Sequence, residues 1–209
     1  VDSVLVELGG EATAALERGQ RWRMISSIGT GLPPSLFKPE DLPEPRSRGA
    51  GLLRVYCVQC HWIPAPQMHA AAEWPVLVRR MLMRARTLHE RLGGPLTEGL
   101  VGDILLSGMR TPVLPAPEHV DTLLAYLQKH ALPVARSEEL TDGPDRDLFL
   151  EKCSACHETP SPRAHTAAGW PAVVARMRAN MAAMDVPPLT DAETDRIVAY
   201  LSARAADAR

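Results

Sequence analysis

The chain has 209 residues, of which 23 are basic and 25 acidic, for a formal charge of −2. That balance excludes the strongly basic surface of a nucleic-acid binder, and no apolar run reaches the roughly 18 residues needed to span a bilayer. Aromatics are only 4% of a chain long enough for two small cores, so a large planar apolar cofactor in each would supply the missing area.

The start, Val1-Asp2-Ser3, shows no basic segment followed by an apolar one, and reads as a processed or trimmed product. Val4 to Arg18 has the spacing of an amphipathic helix. Gly29 to Pro45 holds five prolines and two glycines and is expected to be an extended arm, with no counterpart in the second half. Helices are expected from Gly49 to Tyr56 and from Asp145 to Lys152, each running into a cysteine, with Asp142 and Asp145 as candidate N-caps. Glu73-Trp74-Pro75 and Gly169-Trp170-Pro171 start two more, with Pro in the first turn where its missing N–H matters least. Final helices are expected over Pro117 to Lys129 and Asp191 to Arg204, the second opened by the capping box Thr190-Asp-Ala-Glu193. No stretch keeps a period of two, so no strands are expected.

Offset by 96 residues, the chain aligns with itself. Cys57, Cys60 and His61 fall on Cys153, Cys156 and His157. Pro64, Pro66, His69, Trp74, Pro75 and Met81 fall on Pro160, Pro162, His165, Trp170, Pro171 and Met177. Ala125-Tyr126-Leu127 pairs with Ala199-Tyr200-Leu201 only after a shift, because the Trp-to-Tyr separation is 52 residues in the first half and 30 in the second. One unit has been duplicated and one copy has changed a loop. The organisation expected is an N-terminal helix and arm (1–47), a first domain (48–132), a linker (133–144) and a second domain (145–209).

All four cysteines lie in two pentapeptides, Cys57-Val58-Gln59-Cys60-His61 and Cys153-Ser154-Ala155-Cys156-His157. Two thiols three apart on a helical turn can form thioethers to the two vinyl groups of a haem, and the adjacent His can ligate iron from the proximal side. A thioredoxin-like dithiol needs neither the His nor a second copy. A zinc ribbon wants its two pairs closer than the 92 residues that separate these.

With these motifs the repeat resembles class I cytochrome c domains, and the chain resembles a two-domain dihaem cytochrome c of the bacterial periplasm, over roughly residues 48–132 and 145–205. The resemblance implies an all-α protein of two tandem domains, each wrapped around one covalent haem c, preceded by the extended arm. It implies that Leu53 and Phe149, four before the first Cys, pack terminal helices together. Gly49 fits the family's glycine one turn earlier, where Asp145 stands in the second copy. The distal iron ligand implied is a Met on a loop 16 or 17 residues before the aromatic of the last helix. Met109 and Met184 satisfy this; Met81, Met177 and Met181 are the alternates. Trp74 and Trp170 correspond to the family's propionate-binding Trp. His69 and His165, only eight residues past the proximal His, are expected to serve the haem surroundings, with Pro64 and Pro160, rather than the iron. The cluster Arg79, Arg80, Arg84 and Arg86 reads as propionate partners, as a face for an acidic partner, or as plain solvated charge.

The function implied is single-electron transfer in the periplasm, between a donor dehydrogenase and an acceptor oxidase or cytochrome, with no catalytic residue. Two alternatives stand beside it. One is a haem-bearing subunit of a larger dehydrogenase docked through residues 1–47. The other is a small dihaem enzyme acting on peroxide or thiosulfate.

Overall fold

The computed structural model of the chain describes residues 38–92, 112–184 and 186–206. The expected Val4–Arg18 helix, most of the arm, and Met109 lie outside them. Among the described residues the protein is all-α: six helices, four short 3₁₀ turns, and isolated bridges in place of strands.

The helices are α1 (Arg48–Tyr56), α2 (Trp74–Leu92), α3 (Pro117–Lys129), α4 (Pro144–Cys153), α5 (Trp170–Ala183) and α6 (Asp191–Ser202). Local chemistry sets their starts. The Ser47 hydroxyl accepts from the Ala50 N–H at 3.2 Å and caps α1. Thr190 Oγ1 accepts from the Glu193 N–H at 3.2 Å while the Glu193 carboxylate accepts from the Thr190 N–H at 2.8 Å, the reciprocal box expected for α6. The expected caps of α4 are not used. Its N-cap is Gly143, at a φ of 142° open to glycine, and Pro144 is the first helical residue. Asp145 is thereby moved into the first turn, where a carboxylate meets the positive end of the helix dipole. Asp142 pairs with Arg146 instead.

Two compact units form. One holds the described residues up to Ala65 and from Glu73 to Leu127; the other holds Pro66–Ala72 and those from Gln128 onward. The division thus falls within α3, ahead of the expected linker. In the first unit Leu42, Leu53, Ile63, Trp74, Val78, Leu123, Tyr126 and Leu127 are buried. At Gly49 the α1 backbone lies so close to α3 that a Cβ would sit 2.3 Å from that of Tyr126, so only glycine fits the crossing. The second core is Phe149, Trp170, Val174, Leu189, Ile197, Tyr200 and Leu201. Its crossing takes another form: Phe149 packs on Tyr200 with ring centroids 5.5 Å apart, and Asp145 receives a hydrogen bond from Arg196 Nε at 2.7 Å.

The end of the arm and the expected linker turn out to be equivalent parts of the two repeats, which overturns the expectation that the arm has no counterpart. Pro39–Asp41 and Ser137–Glu139 are matching 3₁₀ turns. In each, the backbone N–H before the turn donates to the carboxylate of its last residue: Lys38 to Asp41 at 3.1 Å, Arg136 to Glu139 at 3.2 Å. A leucine follows, Leu42 or Leu140. Then comes a carbonyl that accepts the tyrosine hydroxyl of the last helix: Pro43 from Tyr126 at 2.6 Å, Thr141 from Tyr200 at 3.4 Å. Arg54 adds a hydrogen bond to the Pro39 carbonyl at 3.2 Å, which fastens the end of the arm to α1.

Each repeat also closes with one parallel bridge, Ala70 to Leu132 and Thr166 to Ala206. The carbonyls of His69 and His165 accept from the backbone N–H of Leu132 at 2.9 Å and of Ala206 at 3.3 Å. The bridge partners follow the offset of the C-terminal Ala-Tyr-Leu match, so the two registers seen in the sequence meet here.

Candidate functional site

Each Cys-x-x-Cys-His segment follows the end of a helix, α1 or α4, whose buried face anchors Leu53 or Phe149 one turn earlier. The four thiols are free of disulfides. Burial pushes the first thiol of each pair, Cys57 and Cys153, up to about 12, and raises Cys60 as well. A redox dithiol depends on the opposite shift, toward a thiolate near neutral pH. These thiols stay protonated.

The histidines that follow the two cysteine pairs share one geometry. Nδ1 of His61 lies 2.6 Å from the Trp62 carbonyl, and Nδ1 of His157 lies 2.8 Å from the Glu158 carbonyl. A carbonyl only accepts, so Nδ1 carries the proton, and in the neutral imidazole the lone pair is then on Nε2. This is how a metal-binding imidazole is fixed from behind. Burial lowers the His61 pKa below its ordinary value, and the Arg84 guanidinium adds to that, although the Trp62 carbonyl opposes both.

The two copies differ in exposure and bracing. Cys60 is half-buried where Cys156 is exposed. The Gln59 side chain grips the backbone of Val113 at both ends, accepting from its N–H at 2.7 Å and donating to its carbonyl at 3.0 Å. Gln59 also donates to the Tyr56 carbonyl at 3.2 Å. Tyr56 meets His119 Nδ1 at 2.9 Å, and His89 Nδ1 lies 2.9 Å from the Pro112 carbonyl. Sequence reasoning missed this group. Its one visible sign was Gln59 against Ala155 at the same place in the repeat.

The expected distal and flanking residues distribute as follows. Met177 is half-buried on α5, and Met181 packs against the second core. Met184 is the C-cap of α5, its N–H bonded to the Asn180 carbonyl at 3.0 Å, so it ends a helix instead of standing on a free loop. Met81 is half-buried on α2. The Trp170 indole N–H, in the buried interior, donates to the Pro162 carbonyl at 2.9 Å. His165 stands edge-on to Trp170 at 4.9 Å. Trp74 and Pro64 are buried, and Pro160 pairs with Val134 in an antiparallel bridge. His69 lies in the Pro66–Ala72 segment that joins the other unit.

These residues suit a covalently held haem. Two unbridged thiols sit three apart at a helix end, beside an imidazole whose Nδ1 is tied and whose Nε2 is left as the ligand position. Among the described residues no three His, Cys, Asp or Glu side chains converge on a metal-sized site. No helix among them is long and apolar enough to cross a membrane. Comparison with family models, with curated proteins and with solved structures finds no match to this chain.

Proposed function

We propose that the chain is a dihaem c-type cytochrome of the periplasm, built from two tandem class I cytochrome c domains, that passes single electrons between a donor oxidoreductase and an acceptor. The observation that carries this reading is the duplicated Cys-x-x-Cys-His with the same Nδ1–H to carbonyl hydrogen bond behind each His. Haem c, when bound, supplies the one-electron ferric–ferrous couple.

The chain's own groups do the rest. Cys57 and Cys60, and Cys153 and Cys156, are the thioether positions. His61 and His157 present Nε2 as proximal ligands, with the imidazole held in one tautomer and one orientation by the adjacent carbonyl. Methionine sulfur on the far side favours the reduced state. Met184, with Met177 and Met181 as alternates, is the distal candidate in the second repeat; Met109, with Met81, is its counterpart in the first. The buried Trp74 and Trp170 and the cores around them keep water from the site. No residue is assigned a catalytic step. Haem is attached to this motif outside the cytoplasmic membrane, which is the ground for a periplasmic location.

The test is haem stoichiometry and spin state in the chain matured with haem-attachment machinery. Two haems per chain are expected, falling to one in Cys57→Ala/Cys60→Ala and to one in Cys153→Ala/Cys156→Ala. Both irons are expected low-spin, with the Met-to-iron charge-transfer band at the red end of the visible spectrum. Retention of two haems in either double variant overturns the attachment sites, and high-spin iron at neutral pH overturns His/Met ligation.

A further inference from the structure

The exposed face of α2 combines large apolar residues with a run of arginines. Val76 and Met83, two helical turns apart on one side, are 60% and 63% exposed. Arg79 and Arg86 run along one flank of that pair and Arg80 and Arg84 along the other, all four exposed. No ion pair joins any of the four to another described residue. Arg80 and Arg84, four apart on the helix, repel by a few tenths of a kcal/mol, and only Glu90, four after Arg86, offers a carboxylate at that spacing. The chain as a whole is slightly acidic, so the patch is a local departure from its charge.

The duplication supplies an internal control. Both helices start on the Trp-Pro pair, so the register carries from α2 to α5. On α5 the two large apolar residues become Ala172 and Ala179. Arg79, Arg84 and Arg86 become Ala175, Asn180 and Ala182, and Arg176 alone keeps the charge. The fold therefore does not need these side chains, because the same helix packs in the second repeat without them.

We propose that this face of α2 docks a protein partner whose own apolar patch is rimmed by carboxylates. An apolar centre within a charged border matches the core-and-rim construction of protein interfaces, with arginine the cation best suited to such contacts. A helix lying in a lipid surface would carry Trp, Phe or Leu along this face, and the apolar residues here are one Val and one Met, with no aromatic. That the partner is a redox protein rests on the function proposed above; the surface itself does not.

The test uses the full haem-loaded chain and, as probe, a small acidic copper protein whose apolar copper edge is bordered by carboxylates. Calorimetric titration is expected to show binding at low salt that weakens by about tenfold or more on reaching physiological ionic strength, as screened charge pairs require. Arg79→Glu/Arg86→Glu and the milder Arg79→Gln/Arg86→Gln are expected to lose most of the affinity, with helicity unchanged by circular dichroism. Val76→Ser/Met83→Ser is expected to weaken binding several-fold while leaving its salt dependence intact. Arg176→Glu on α5 is expected to bind like the parent.

Four results would overturn the surface: no binding at low salt, equal losses in Arg176→Glu, self-association of the chain through the same residues, or arginine-dependent binding to phosphatidylglycerol vesicles in place of the copper protein. A changed haem absorption spectrum or midpoint potential in the arginine variants would make them haem partners and also refute it. Binding without electron exchange would refute the proposed function and keep the surface. Electron exchange at a rate indifferent to Arg79 and Arg86 would do the reverse.

Discussion

At Gly49 a single methyl group is enough to force α1 away from α3, because the obstacle is the Cβ of Tyr126 and not a movable side-chain tip. Gly49→Ala is expected to destabilise the first repeat by about 1–3 kcal/mol, the usual effect of overpacking. Gly51, two residues further along the same helix with open space around it, is expected to gain about 0.5–1 kcal/mol on conversion to Ala, from helix propensity alone. Urea unfolding of the two variants, read against the parent, checks both signs. The sequence marked Gly49 as special only through its family resemblance, and it left Asp145 looking like a defect. The ion pair with Arg196, 51 residues further on, resolves that. A contact so distant has no local signal. Trp170 is a similar case: its residue type announces burial and a hydrogen bond, but not that Pro162 is the acceptor. Trp170→Phe leaves that carbonyl unpaired in the interior and is expected to lower stability by about 1–3 kcal/mol, measurable as a lower urea midpoint.

Helix starts were legible wherever the signal was local: Trp-Pro at α2 and α5, the Thr190–Glu193 box at α6, and the span of α3 from Pro117 to Lys129. They were misread at α4, where a glycine with φ of 142° and the following proline outcompete two candidate Asp caps. The 3₁₀ turns at Pro39–Asp41 and Ser137–Glu139 escaped notice because one looked like part of a proline-rich arm and the other like part of a charged linker. Their equivalence rests on hydrogen bonds and on one leucine each, and neither appears as sequence identity. Leu42, 2% exposed, is then a core residue of the first repeat. Leu42→Ala is expected to reduce stability by about 2–5 kcal/mol, as a large-to-small change in a core does, and Leu140→Ala by less because Leu140 is only partly buried. The same turns predict an acid response. Burial pushes the Glu139 carboxyl up, but the Ser161 hydroxyl, the Arg136 N–H and the Arg136 guanidinium together hold it below its ordinary 4.5. Glu193 is held low by the Thr190 N–H and hydroxyl, and by Lys152. A carboxyl depressed in the folded state contributes stability that is present above its unfolded pKa and is lost as the pH falls through its folded pKa. The urea midpoint is therefore expected to fall as the pH drops below 4.5, and to fall less steeply in Glu139→Gln/Glu193→Gln.

At the scale of the whole molecule, the two repeats keep the same internal wiring and diverge at their surfaces and loops. The matched Leu53/Phe149 and Trp74/Trp170 positions were readable from one 96-residue offset, and the tyrosines only after a shift, because core positions have few acceptable replacements. The Cys-x-x-Cys-His spacing was legible for the same reason, because it recurs at that offset. A choice among the five methionines was less so, since sulfur position depends on how a helix or loop ends, as Met184 at the C-cap of α5 illustrates. Gln59 carries the divergence furthest. By holding Val113 at both its N–H and its carbonyl, a residue between the two cysteines also fixes the backbone that leads into α3. Ala155 has no such reach. The two pentapeptides are therefore not exchangeable cassettes: grafting Ser-Ala in place of Val58-Gln59 would keep both cysteines and the histidine and still release the backbone at Val113, seen as faster hydrogen exchange at its amide.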